Sequence, residues 1–167
     1  GVYVYINGQE VGYSEDSKNS AEFLINKFVK PGKNVLTLKI YRWSTGSYLE
    51  CQDFWRISGI ERDVFLYSQP KAALKDFRVT STLDDTYKDG IFKLGVDLRN
   101  NGSTAGNMTL VYELLDANGK VVATGEKATN VAAGETRTVS FDQTLPDVKT
   151  WTSEAPNLYK LVMTVKE

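Results

Sequence analysis

The chain has 167 residues, 41% hydrophobic and 25% charged, the composition of a folded globular protein rather than a disordered one. With 20 Lys+Arg against 21 Asp+Glu the net charge is -1, so no basic excess exists to neutralise a phosphate backbone and nucleic acid is not an expected partner. Histidine is absent, which excludes Ser-His-Asp and Cys-His catalysis and His-ligated zinc within the chain and leaves carboxylates, hydroxyls, amines and tyrosine.

The chain opens directly on a strand-like run, Val2 to Ile6, without an initiator Met or a signal pattern, as if cut from something longer. Asn7-Gly8 follows, a hairpin signal because both residues tolerate the positive φ of a type I′ turn, and Val11 to Tyr13 is the expected return strand. After a polar stretch, Ser14 to Ser20, comes the short run Glu22-Phe23-Leu24-Ile25. The turn Lys30-Pro31-Gly32-Lys33-Asn34 then precedes Val35 to Tyr41, where Leu36, Leu38 and Ile40 face opposite to Val35, Thr37, Lys39 and Tyr41. That alternation predicts a half-buried strand. It stops from Arg42 to Gly59, resumes at Val64-Phe65-Leu66-Tyr67 and ends at Pro70.

The remainder is more regular. Phe77, Val79, Ser81 and Leu83 share a face, as do Phe92, Leu94, Val96 and Leu98, then Met108, Leu110, Tyr112 and Leu114. Val121 to Ala123, Val139 with Phe141, and Tyr159, Leu161, Met163 and Val165 complete the set. Asn100-Asn101-Gly102-Ser103 and Asp116-Ala117-Asn118-Gly119-Lys120 carry the residues that left-handed turn positions need. About six or seven strands at this spacing predict an immunoglobulin-like sandwich without the Cys and Trp core of antibody domains. A boundary is expected near Gln69-Pro70-Lys71. Of 19 aromatic residues, 12 precede residue 71 and 7 follow it, so the two parts are built differently.

No apolar run approaches the about 20 residues that span a bilayer, so no membrane partner is expected. Cys51 is the single cysteine and cannot form an intramolecular disulfide; with no histidine beside it, it is read as inert. Asp84 to Gly90 lacks the alternating oxygen ligands of a calcium loop and reads as a solvated acidic turn. The sequon Asn107-Met108-Thr109 is of the kind that arises by chance.

The interruption from Arg42 to Arg56 is the most informative segment. Trp43, Tyr48, Phe54 and Trp55 lie among Arg42, Arg56, Glu50 and Asp53, and aromatic faces beside charged groups suit a sugar ring. The competing reading makes the aromatics core residues beneath a loop, with the arginines paired to the carboxylates. Glu50 and Asp53 are also the obvious pair for a glycosidase, whose retaining form needs carboxyls about 5 to 5.5 Å apart. A spacing of three residues in a loop does not establish that distance.

Arg42-Trp43-Ser44, Gly46-Ser47-Tyr48-Leu49-Glu50, Gln52-Asp53-Phe54-Trp55-Arg56, Ser58-Gly59-Ile60 and Arg62-Asp63-Val64 resemble the hallmark of bacterial β-galactosidases of glycoside hydrolase family two. Val4 to Asp16 resembles the preceding hairpin, Lys30 to Asn34 its usual turn, and Trp151 to Tyr159 the signature near the end of the next domain. The resemblance implies an all-β chain: a partial jelly-roll β-sandwich over residues 1–70, then an immunoglobulin-like β-sandwich over 71–167. In that family a TIM barrel with both catalytic glutamates comes next, and nothing in this chain matches it. The resemblance therefore assigns no catalytic residue here. It makes Asp53 the substrate-binding aspartate, reaching the galactose 6-hydroxyl and an active-site sodium ion. Cofactors implied are none for this chain alone, and sodium with magnesium for the whole enzyme. Cys51 stands where the family usually has aspartate, and Glu61 where an apolar or aromatic residue is usual.

Three readings follow. A non-catalytic piece of a β-galactosidase predicts a downstream barrel and no hydrolysis by the piece alone. A free-standing carbohydrate-binding module predicts galactoside binding through the Arg42 to Arg56 loop. A structural or adhesive sandwich protein predicts neither. Half a jelly roll also presents an unpaired strand edge and an apolar face, so self-association through residues 1–70 is expected.

Overall fold

The computed structural model describes every residue except Ser17, Lys18, Cys51, Phe54 and Arg56. The chain divides into two units, Gly1–Leu66 and Tyr67–Glu167.

The first unit is built on three antiparallel strands, β1 (Val2–Ile6), β2 (Gln9–Ser14) and β3 (Leu36–Ile40), in the order β2-β1-β3. Asn7 and Gly8 have φ of 52° and 82°, the left-handed pair expected of a type I′ hairpin. The register sets Val2, Val4 and Ile6 opposite Ile40, Leu38 and Leu36, which makes one face of the sheet apolar. The other face carries Tyr3, whose ring lies 4.3 Å from Tyr13 and 5.7 Å from Tyr41.

Asn7 also ties this hairpin to the Lys30 to Asn34 turn. Its Nδ2 donates to the Phe28 carbonyl at 3.0 Å and to Asn34 Oδ1 at 2.8 Å, and its Oδ1 accepts from Val35 N at 3.0 Å. Asn34 in turn donates to the carbonyls of Lys30 and Gly32.

Two expectations for this unit change. The β3 strand forms, but Leu36 and Ile40 stay exposed while Val4 and Ile6 on β1 are buried. The central strand gains cover from both neighbours, whereas β3 is an edge with β1 on one side. Val64 to Tyr67, where the alternation resumes, forms no strand, and Phe65 is 77% exposed. A strand persists only where a ladder satisfies its backbone groups, and among the described residues this run joins no β-ladder.

The second unit has six antiparallel strands: β4 (Ala72–Leu83), β5 (Gly90–Asn100), β6 (Gly106–Leu115), β7 (Val121–Val131), β8 (Thr136–Leu145) and β9 (Lys160–Lys166). They form two sheets, β4-β5-β8 and β7-β6-β9. Phe92, Leu94, Val96 and Leu98 of β5 bury against Met108, Leu110, Tyr112 and Leu114 of β6, so the predicted period of two becomes the core of a sandwich. The Tyr112 ring sits 5.6 Å from Phe92 and 4.8 Å from Phe141. Opposite Tyr112 in the register is Gly125, where a Cβ would fall 2.6 Å from Tyr112 Cε1 and 2.9 Å from Phe141 Cδ1.

The face shared by Phe77 and Val79 is also more open than its pattern suggests. By register these residues lie beside Val96 and Leu94, yet Phe77 is 52% exposed, while Val139 and Phe141 on the opposite edge strand β8 are buried. Of the two turns expected to use left-handed positions, Asp116 to Lys120 does so at Gly119, with a φ of 79°, whereas no residue of Asn100 to Ser103 has a positive φ. Asp84 Oδ1 accepts from the backbone N–H of Lys88 and Asp89, and Oδ2 from Thr86 Oγ1 at 2.6 Å. These bonds, led by Thr86, hold the Asp84 carboxyl below the usual range. Asp116 Oδ1 caps Asn118 N and Lys120 N in the same manner.

Candidate functional site

Among the described residues, the segment from Arg42 to Gly59 holds one helical turn, α1 (Ser47–Glu50), and no strand. Its first residues are anchored by a carboxylate that the residue pattern does not single out. Glu15, just past β2, accepts from Tyr13 Oη at 2.7 Å through Oε1 and from Gly46 N at 2.6 Å through Oε2. Thr45 Oγ1 donates to the same Oε2. Gly46 then passes the constraint to the helix, its carbonyl accepting from Leu49 N and Glu50 N, both at 3.0 Å. Ser47 Oγ accepts from Ser44 N at 3.0 Å, closing the turn.

The electrostatics follow from these bonds. Hydrogen bonding by Thr45, then by Tyr13 and Gly46, holds the Glu15 carboxyl below its ordinary value. Donation to Glu15 pushes the Tyr13 phenol up to about 12. A charge-assisted bond favours the ionised acceptor and the protonated donor together.

Beyond the anchor the loop displays its aromatics. Trp43 is 55% exposed, Tyr48 92% and Trp55 80%, which overturns the reading of these three as core residues beneath a loop. Arg42 lies 5.3 Å from the Trp43 ring centre, a cation–π contact. Phe54, Arg56 and Cys51 lie outside the described residues, so the expected pairing of Arg56 and the inert reading of Cys51 fall there too. Asp53 has a φ of 50°, a left-handed conformation uncommon for a residue with a side chain. Its side chain is exposed, as is that of Glu50 three positions earlier.

This arrangement can stack a flat apolar face and present carboxylates beside it. The pairing of Glu50 with Asp53 for acid–base chemistry gains nothing from it, since neither carboxyl is enclosed. A sodium ion takes several hard oxygen ligands, and Asp53 is able to give one. Among the described residues no group of three or more His, Cys, Asp or Glu comes together, so Asp53 offers a single carboxylate and not a ligand set. Also among the described residues, no helix is long and apolar enough to cross a membrane.

Fold and loop together define a two-unit β-protein whose second unit is a sandwich and whose first holds an aromatic loop out to solvent. The model described as "Glycosyl hydrolases family 2, sugar binding domain" matches residues 2–70, and that described as "Glycosyl hydrolases family 2" matches residues 72–167. The chain belongs to glycosyl hydrolase family 2. It is 44% identical to a β-galactosidase of Priestia megaterium over 98% of this chain and 16% of that protein. It is 40% identical to a β-galactosidase of Lactobacillus delbrueckii subsp. bulgaricus over 96% of this chain and 15% of that protein. The chain thus spans about a sixth of the length of these curated relatives. A Bacteroides uniformis β-glucuronidase shares the fold with a TM-score of 0.91 at 21% identity, covering 99% of this chain and 21% of that one. A Parabacteroides merdae β-glucuronidase does so with a TM-score of 0.81 at 21% identity, over 99% and 22%.

Trp43, Tyr48, Trp55, Glu50 and Asp53, which the sequence pattern singles out, all lie on this loop, whereas its anchor Glu15 is not evident from that pattern. One cue was available: Tyr13 and Glu15 are two apart at a strand end, hence on one side of it. Nothing in the local pattern indicates that Thr45 and Gly46 meet them.

Proposed function

We propose that this chain is the sugar-binding and immunoglobulin-like part of a β-galactosidase acting on terminal β-D-galactosides, with residues 1–70 and 71–167 as its two domains. The catalytic barrel belongs to sequence outside the chain. The observation that carries this reading is identity of 40% and more to β-galactosidases along nearly the whole chain, including the loop.

In this reading the first unit lends a loop to the pocket and the sandwich spaces it from the barrel. The exposed Asp53 carboxylate would accept a hydrogen bond from a galactose hydroxyl and would give one oxygen to a sodium ion, which would supply positive charge beside the sugar oxygens. The left-handed backbone of Asp53 sets the direction of its Cα–Cβ bond at some cost in strain. Magnesium has no evident ligand set among the described residues, and its site is assigned to the rest of the enzyme.

The chain alone is expected to be inert, because catalysis needs two carboxylates flanking the scissile bond. The test is hydrolysis of aryl β-galactosides and aryl β-glucuronides by the intact protein and by this chain. The reading predicts that the intact protein turns over the galactoside in preference and that the chain does neither. An intact protein that prefers the glucuronide, or a chain hydrolysing on its own, refutes it. The exposure of Trp43, Tyr48 and Trp55 favours a second reading, a free-standing carbohydrate module. Galactoside binding to the isolated chain, measured by calorimetry, would support that reading instead.

A further inference from the structure

We propose that Glu15 is a positioning residue for the galactoside pocket, clamping the base of the Asp53 loop to the end of β2. This rests on the reading of the protein as a β-galactosidase and on Asp53 as its substrate contact.

Three donors converge on one carboxylate: Tyr13 Oη at 2.7 Å, Gly46 N at 2.6 Å, and Thr45 Oγ1. Two of them are 30 and 31 residues away in sequence, so the bonds join the hairpin to a separate segment rather than stabilising a local turn. Gly46 carries the constraint onward, because its carbonyl is the acceptor for the last two amides of α1. Asp53 follows that turn by three residues. A loop with exposed side chains has little burial to hold it, so directed bonds at its base decide where its tip points. Tyr13 is itself fixed by its stack on Tyr3 at 4.3 Å, which ties the carboxylate to the sheet.

The charge of Glu15 matters less than its geometry. In Glu15→Gln the amide oxygen takes the place of Oε2, accepting from Gly46 N and Thr45 Oγ1, and the amide nitrogen donates to Tyr13 Oη. In Glu15→Ala all three bonds are lost while the sheet and the sandwich are untouched.

The experiment measures kcat and KM of the intact protein on an aryl β-galactoside for wild type, Glu15→Ala and Glu15→Gln. Hydrogen exchange of residues 42–50 is followed in the same samples. The expected result is a rise in KM of about tenfold for Glu15→Ala with kcat within about twofold, faster exchange of the Gly46 to Glu50 amides, and near wild-type behaviour for Glu15→Gln. A merely structural role would lower kcat with the folded fraction and leave KM alone. Unchanged exchange in Glu15→Ala overturns the clamp. Faster exchange with unchanged KM overturns the positioning role. A wild-type protein inert to galactosides overturns the galactosidase reading and that role with it, and the exchange data then judge the clamp by itself.

Discussion

Tyr112 is the one buried side chain among the described residues whose polar atom finds no hydrogen-bond partner. Its ring is sealed between Phe92, Phe141 and Gly125, and burial pushes its phenol up. An unpaired buried hydroxyl costs about 1 to 3 kcal/mol, so Tyr112→Phe is expected to raise the unfolding free energy measured by chemical denaturation by about 1 kcal/mol. Gly125→Ala acts in the opposite direction: a methyl 2.6 Å from one buried ring and 2.9 Å from another overpacks the core at a cost of about 1 to 3 kcal/mol. Asn100 is the buried polar counterexample. Its Nδ2 donates to the carbonyls of Thr104 at 2.8 Å and Val131 at 2.9 Å, and its Oδ1 accepts from Gly102 N at 2.8 Å. Asn100→Ala removes all three bonds from buried backbone groups and should cost about 2 to 4 kcal/mol in the same denaturation assay. Asn100→Asp should be no better, since its charge would face two carbonyl oxygens.

At the scale of the element, two joints hold the first unit. Asn7 supplies both the turn conformation and three side-chain bonds to the Phe28 to Val35 segment. Asn7→Gly keeps the first and loses the second, so a loss of about 1 to 3 kcal/mol in that variant measures the bonds themselves. The Glu15 joint is sensitive to pH at both ends. Its folded pKa lies below the ordinary value of 4.5, so the contribution is present above that pH and is lost as pH falls through the folded value. Tyr13 is raised from 10.0 to about 12, so its contribution is present below pH 10.0 and is lost as pH rises toward 12. Exchange of residues 42–50 should therefore be slowest relative to the intrinsic rate between about pH 4.5 and 10 and lose only part of its protection on the acid side, where a neutral Glu15 still accepts from Thr45 and Gly46 as the Gln variant does. Much of this architecture was legible in the residues. The period of two in β5 and β6 marked the sandwich core residue by residue, and Asn7-Gly8 marked its hairpin. The runs Val64 to Tyr67 and Leu36 to Ile40 were misjudged because alternation records which side chains suit burial and not whether a neighbour is there to cover them. The loop was visible as a break in alternation. Its anchor was not, because a bond across about 30 residues leaves no local trace, and Asp53 emerged through family resemblance rather than through spacing.

The whole molecule is uneven in how it is finished. The sandwich has a closed core, whereas Leu24, Leu36, Ile57, Ile60, Phe65 and Leu66 of the first unit are exposed, and both β2 and β3 are sheet edges. Apolar surface and unpaired edges of this kind favour association. We expect the isolated chain to self-associate through its first unit as concentration rises, with light scattering as the measurement. A monomer throughout would contradict that expectation, as would association retained by residues 67–167 alone. The claim on which the functional account rests is narrower: Asp53 contributes to galactoside binding in the intact enzyme. Its most direct test is kcat/KM of Asp53→Asn on an aryl β-galactoside, in the intact protein and with folding checked by denaturation. Loss of a charged hydrogen bond of about 1.5 to 3 kcal/mol predicts a fall of about tenfold to a hundredfold. An Asp53→Asn enzyme as efficient as wild type would contradict the account.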